Sequence, residues 1–192
     1  MKAIETTYQG RRYRSRTEAK WAVFFNELML PFEYEKEGFV IGGVPYLPDF
    51  WLPTIGVWLE IKGERAEPEK VALVRGLANE TGKAAVIWQG LPDLNLTQGG
   101  SRYGKIWCGG VGEDDGGEIE EVCQWVNWEN GGVGLCLEWD SNMVIHSRDC
   151  MKLLPLVRPH SQGDYSFALV TAASVVACDA RFEHGEKPRG DK

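Results

Sequence analysis

The stretch Tyr46–Gly63, YLPDFWLPTIGVWLEIKG, constrains the fold more than any other part of the chain. Two apolar, strand-like segments, Tyr46–Leu52 and Val57–Lys62, flank Pro53-Thr54-Ile55-Gly56, which has Pro and Gly where a tight turn uses them. The spacing predicts an antiparallel hairpin. Pro48 has no N–H to give to a ladder, so its strand is expected at an edge or to be locally irregular. Each strand also carries an acid where a buried strand should carry none: Asp49 in the first, Glu60 in the second, with Lys62 beside it. Side chains alternate faces along a strand. Val57, Leu59 and Ile61 therefore share one face, and Trp58, Glu60 and Lys62 the other. The short turn brings Asp49 close to the second set. Two carboxylates held together suit a hard cation such as Mg²⁺, which takes oxygen ligands and keeps water in its shell. A lysine there can hold or deprotonate a water, or neutralise charge developing on phosphorus. Trp51 and Trp58 lie on the same faces as the acids, which a turn of merely solvated charges would not favour.

The flanking segments supply a frame. A short strand is expected at Ile4–Tyr8, with a turn at Gln9-Gly10. Ser15 followed by Glu18 matches a capping box and predicts a helix from Ser15. Trp21, Ala22, Phe25, Leu28 and Met29 recur at helical spacing, and Pro31 stops the pattern. Glu18 lies on the stripe of Ala22, Phe25 and Met29 and should point inward at the first turn, where the helix dipole favours a carboxylate. Alone it reads as the capping acid; beside Asp49, Glu60 and Lys62 it reads as a third acid of one site. Strands are expected at Phe32–Glu37 and Gly38–Ile41, with a Gly42-Gly43 turn. A second helix is expected over Glu67–Thr81, with the stripe Val71, Val74, Leu77 and Ala78 and an end at Gly82. Glu69 and Lys70 at its start read as surface residues. The run Ala84–Trp88 is a buried strand. Strand, helix, strand in this order implies a right-handed crossover and a parallel pair.

These residues resemble the PD-(D/E)XK nuclease superfamily: Glu18, then Pro48-Asp49, then Glu60-Ile61-Lys62 on a helix–strand–strand–helix–strand frame. The wording RSRTEAKW…FEYEKEGF…YLPDFWLP…VWLEIKG is similar to phage nucleases, including those that cut Holliday junctions, over roughly Tyr8 to Trp88. The resemblance implies a mixed central sheet flanked by helices, a restriction-endonuclease-like α/β core. It implies Mg²⁺ or Mn²⁺ held by Asp49 and Glu60, with the Ile61 carbonyl and Glu18 as further ligands. Lys62 would position the water that hydrolyses a DNA phosphodiester. A branch-specific resolvase would in addition need a homodimer. The rival expectation is a nuclease-fold protein that binds DNA or a host protein without cutting.

The remaining sequence is less directive. The nuclease core is expected over 1–92, a β-rich insertion over 93–160, a C-terminal helix packing on the core within 161–185, and a tail over 186–192. Within the insertion, strands are read at Lys105–Cys108, Val122–Val126, Val133–Trp139 and Met143–His146. The C-terminal helix is read over Tyr165–Phe182, with Asp164 as cap and Gly185 as stop. A formal net charge of −7 is unusual for a DNA-binding chain, but the charge is unevenly spread. Arg11, Arg12, Arg14, Arg16 and Lys20 form a basic region that either grips DNA backbone or is a solvated turn. The acidic run 113–121 reads as a loop or a protein contact. Five cysteines without a short Cys pair disfavour a disulfide framework and structural zinc. His146, His160 and His184 form no catalytic set, and no phosphate-binding loop motif occurs. With no apolar span or leader, the expected location is the cytoplasm.

Overall fold

The computed structural model describes residues 3–63, 65–93, 103–108, 119–128, 133–137, 165–166 and 168–182. An N-terminal hairpin pairs β1 (Thr6–Tyr8) with β2 (Arg11–Tyr13) around Gln9 and Gly10, both at positive φ. Ser15 then caps helix α1 (Arg16–Glu27), its hydroxyl accepting from the Glu18 amide at 3.1 Å. The helix ends at Leu28. The Met29 N–H donates to the Asn26 carbonyl and the Leu30 N–H to that of Phe25, a Schellman closure with Met29 in the left-handed position. Met29 was expected on the apolar stripe; it lies beyond the helix, 89 % exposed.

The segment expected as strand over Phe32–Glu37 is reduced to β3 (Glu33–Tyr34), because Glu35 turns to a φ of 49°. Strands β4 (Phe39–Ile41) and β5 (Val44–Tyr46) form a separate hairpin closed by Gly42 and Gly43 at φ 55° and 83°. The strand expected over Tyr46–Leu52 is therefore divided. Tyr46 ends β5, and β6 (Phe50–Leu52) joins the central sheet, with Pro48 between them. β6 pairs antiparallel with β7 (Val57–Lys62), Trp51 opposite Trp58, and the turn closes with the Gly56 N–H on the Leu52 carbonyl at 2.8 Å.

Helix α2 (Pro68–Thr81) begins on a proline and ends at left-handed Gly82. It leads into β8 (Ala84–Gln89), which runs parallel to β7 from Val57 opposite Ala84 to Lys62 opposite Gln89. Beyond β8 come β9 (Tyr103–Cys108), β10 (Ile119–Trp128) and β11 (Val133–Leu137), all antiparallel. The short β12 (Tyr165–Ser166) also pairs with β10. The sheet order is β11-β10-β9-β8-β7-β6-β3, so the described strands of the expected insertion continue the central sheet. The expected C-terminal helix is shorter, α3 (Ala168–Asp179), because Tyr165 and Ser166 are taken up by β12. The expected strand at Met143–His146, the start of the acidic run at 113–118, Asp164, Gly185 and the tail lie outside the described residues.

The chain is thus a mixed α/β protein with cores on both faces of its sheet. Val57, Leu59 and Ile61 pack with Ala84, Val86 and Trp88 against Trp21, Phe24 and Phe25 of α1 and Val170, Ala173 and Ala177 of α3. Trp58, Ala85, Ile87 and Trp107 pack against Val74, Leu77 and Ala78 of α2. The period-2 alternation of β7 and β8 distributes one strand between two cores. No helix among the described residues is long and apolar enough to cross a membrane.

Candidate active site

The interruption between β5 and β6 creates the site. Where the two strands of the predicted hairpin part company, the Asp49 side chain replaces a ladder bond: its Oδ2 accepts from the Ile61 N–H at 2.7 Å. Asp49 and Glu60 are each 2 % exposed. Burial of a carboxylate without compensation is costly, and here every oxygen has a partner. The Arg14 guanidinium donates to Asp49 Oδ1. Glu60 Oε2 accepts from the Tyr46 hydroxyl at 2.7 Å. Glu60 Oε1 is paired with Lys62 Nζ at 2.6 Å and Lys70 Nζ at 3.2 Å. Lys70 also lies 4.7 Å above the centre of the Tyr46 ring.

Glu18 approaches from α1. Its Oε1 accepts from the Ser15 hydroxyl at 2.7 Å, and its Oε2 from the Tyr34 hydroxyl at 2.5 Å. The Tyr34 oxygen in turn accepts from the Arg14 backbone N–H at 3.0 Å. A continuous polar chain therefore runs from Glu18 through Tyr34 and Arg14 to Asp49 and the Ile61 amide. Glu35 adds a further carboxylate, 2.7 Å from Arg14 Nε.

Electrostatics follow from this packing. Burial, then the charges of Glu60 and Glu18, push the Asp49 carboxyl well above the ordinary carboxylate range; the Ile61 amide and Arg14 oppose them without winning. Burial and the Glu60 carboxylate drive the Tyr46 hydroxyl far upward, so it remains a donor. Burial and the bond to Glu18 do the same for Tyr34. Burial works to lower the Arg14 value, but the field of Asp49, with Tyr34 and Glu35, raises it.

The residues singled out by sequence fall into two sets. Asp49, Glu60, Ile61 and Lys62 come together, with Glu18 linked to them through Tyr34 and Arg14. Arg14, read as a DNA contact or a solvated residue, belongs to the acid cluster. Arg11 and Arg12 are exposed on β2, with Arg12 on Glu5 at 3.2 Å. Arg16 opens α1. The half-buried Lys20 points away from the acids: its Nζ donates to the Cys178 carbonyl of α3 at 2.5 Å, and burial lowers its pKa. Sequence reasoning missed Tyr34, Glu35 and Tyr46, and took Lys70 for a surface residue. Lys70 had one legible signal, its place in the first turn of the helix that follows Lys62.

Asp49 and Glu60 have the hard oxygen donors that suit Mg²⁺ or Mn²⁺. Among the described residues, however, no group of three or more His, Cys, Asp or Glu side chains stands ready to hold a metal ion. Arg14, Lys62 and Lys70 supply the positive charge instead. The donor set fits a divalent cation that replaces a side-chain cation, rather than one that enters a free shell. His146 and Cys150 lie outside the described residues. Next to the end of β7, an open cleft of about 730 Å³ is lined by Arg65, Val71, Gln89, Lys105 and Trp107 among others. Its charged residues are Arg65, Lys105 and Glu67.

No protein family, curated protein or solved structure matches the chain.

Proposed function

We propose that the protein is a metal-dependent nuclease that hydrolyses DNA phosphodiester bonds, with a restriction-endonuclease-like core and a site of the PD-(D/E)XK type. The observation that carries this reading is the pair Asp49 and Glu60. Two carboxylates, almost fully buried, come from neighbouring segments, Asp49 just before β6 and Glu60 within β7, and the charge of Glu60 adds to burial in raising the Asp49 pKa. Carboxylates crowded together in this way are a frequent feature of functional sites. In this reading Asp49, Glu60 and the Ile61 carbonyl hold the cation, with Glu18 as an accessory ligand. Bound there, Mg²⁺ or Mn²⁺ would supply Lewis-acid stabilisation of the phosphoryl oxygen and a more acidic water. Lys62, partly exposed and 2.6 Å from Glu60, orients the attacking water and offsets charge at phosphorus. Tyr46 and Lys70 fix the Glu60 carboxylate in place.

The test is cleavage of a panel of single-stranded, duplex, flapped and four-way DNA with Mg²⁺ or Mn²⁺. Glu60→Ala and Lys62→Ala should each lower the rate by about 100-fold or more, the usual loss when one preorganised electrostatic group is removed. Full activity in either variant sinks the mechanism. Preference for the four-way arm, together with a dimer in solution, identifies a resolvase.

A second reading has its own support, since every oxygen of Asp49 and Glu60 already has a protein partner. A nuclease-fold protein that only binds DNA or another protein would be built this way. Calorimetric titration with Mn²⁺ separates the two: absence of a site that Asp49→Ala removes favours the binding protein.

A further inference from the structure

We infer that Arg14 is an internal counterion of the acid cluster: it holds Asp49 in the free protein, yields that carboxylate to a divalent cation, and then engages a phosphodiester oxygen from beside the site. The inference rests on the metal-dependent reading above and adds a residue to it.

Asp49 Oδ2 is tied to the backbone by the Ile61 amide, whereas Oδ1 is held only by the Arg14 side chain and is the oxygen more readily given up to a cation. The guanidinium and a metal ion bound through Oδ1 compete for the same atom. The guanidinium has somewhere to go. Its side chain is 51 % exposed, against 3 % for that of Asp49. Its Nε is already paired with Glu35, 2.7 Å away and itself part-exposed.

Two features make this an arrangement rather than a chance contact. Glu35 sits at φ 49°, a conformation that L residues rarely adopt, and its N–H is tied to the Asp49 carbonyl at 2.9 Å. The same residue that carries the metal-side carboxylate thus holds the backbone that presents the second acceptor. The Arg14 backbone is anchored independently, by its own N–H on the Tyr34 hydroxyl. The side chain can leave Asp49 while the main chain stays. A planar guanidinium that spans two carboxylates has the fork geometry that also fits a phosphate. Once Asp49 is taken by the cation, that fork faces the atoms on which the substrate phosphate must sit.

The experiment measures two affinities, for Mn²⁺ by calorimetry and for a duplex oligonucleotide in Ca²⁺ by fluorescence anisotropy. In Arg14→Gln the inference requires opposite changes: Mn²⁺ bound about tenfold tighter, within the usual range of coupling between sites, and the duplex bound about tenfold weaker through loss of a charge-assisted contact. A merely structural role for Arg14 would weaken both. Arg14→Lys keeps the charge but cannot bridge Asp49 and Glu35. It should fall between wild type and Arg14→Gln for Mn²⁺, and it serves as the second variant if Arg14→Gln does not fold. Mn²⁺ affinity in either variant no higher than wild type overturns the inference. If that equal binding is lost in Asp49→Asn, the metal reading survives alone. If neither wild type nor Arg14→Gln takes up Mn²⁺, both fall together.

Discussion

Asp49 shows how one side chain can be a liability to the fold and the centre of the proposed chemistry. Its carboxyl is buried, faces Glu60 and Glu18, and binds its proton more tightly in the folded protein than in the unfolded chain. A carboxyl with a raised folded pKa contributes stability that is fully present below the unfolded carboxyl range. That contribution is lost as the pH rises through the folded value, because the ionised form is then the disfavoured one. Asparagine has the same shape and can still accept from the Ile61 amide; its NH2 then replaces the oxygen that Arg14 holds, and the half-exposed guanidinium turns to its pair with Glu35. Asp49→Asn should therefore be more stable than wild type at pH 8, by about 1 kcal/mol on the scale typical of relieved functional sites. The gain should vanish toward pH 4, as followed by thermal unfolding at the two pH values. A variant less stable than wild type at pH 8 would show that the Arg14 pair outweighs the burial. The acids and Lys62 were legible in the sequence because a strand has only two faces and charge on a buried one stands out. Arg14, Tyr34, Glu35 and Tyr46 were not, because their roles arise where Tyr46 and Phe50 enter different sheets, and no local pattern announces that.

The elements repeat the contrast between local and tertiary signals. Helix α1 was readable from Ser15 onward, since cap, acid and apolar spacing agree over consecutive turns. Its end was not. The periodicity carried Met29 into the stripe, whereas the chain closes as a Schellman turn with Met29 at a φ of 51°. That position is normally glycine, because an L side chain in the left-handed region crowds its own carbonyl. Met29 is almost wholly exposed and its side chain has little packing to lose. Met29→Gly should stabilise the protein by about 1 kcal/mol, the left-handed penalty less the extra freedom glycine gains when unfolded. The readout is the midpoint of urea unfolding, with an unchanged slope. A loss of stability would mean that the exposed methionine makes a contact worth more than the strain. The division of the strand Tyr46–Leu52 follows the same lesson. Pro48 marked an irregularity, but which side joined which sheet depended on Phe39–Ile41 pairing with Val44–Tyr46.

At the scale of the molecule, the central sheet extends past the segment that carries the acid cluster. Strand β8 is apolar on both faces and has β7 on one side, so it needs a partner on the other. β9 supplies it, in the glycine-rich stretch where a strand was expected over Lys105–Cys108. The fit is close. A Cβ on Gly104 would lie 2.5 Å from the Trp88 ring and 2.9 Å from Val86. Trp107 from β9 is fully buried in the core on the α2 side, and Val170 and Ala177 of α3 are fully buried in the core on the α1 side. Lys20 ties α1 to α3 through the Cys178 carbonyl. The strands beside the acid cluster, β6 and β7, pair with β3 and β8, while residues after 93 cover the outer edge of β8 and add Trp107, Val170, Ala173 and Ala177 to the two cores. Re-exposing each large apolar side chain costs about 1.5–3 kcal/mol, and a domain has only about 5–15 kcal/mol in all. Removing β9 and α3 takes Gly104 from the Trp88 ring, strips the α3 residues from the core around α1, and turns β8 into a bare apolar edge, which favours aggregation. A fragment of residues 1–93, although it contains Glu18, Asp49, Glu60 and Lys62, should therefore show no cooperative thermal transition by near-ultraviolet circular dichroism. It should also take up no Mn²⁺ in the titration that detects a site in the full chain. A fragment that melts cooperatively near the full-length midpoint would make the outer strands an addition to a self-sufficient core; their closeness to Trp88 and Val86 argues that they complete it.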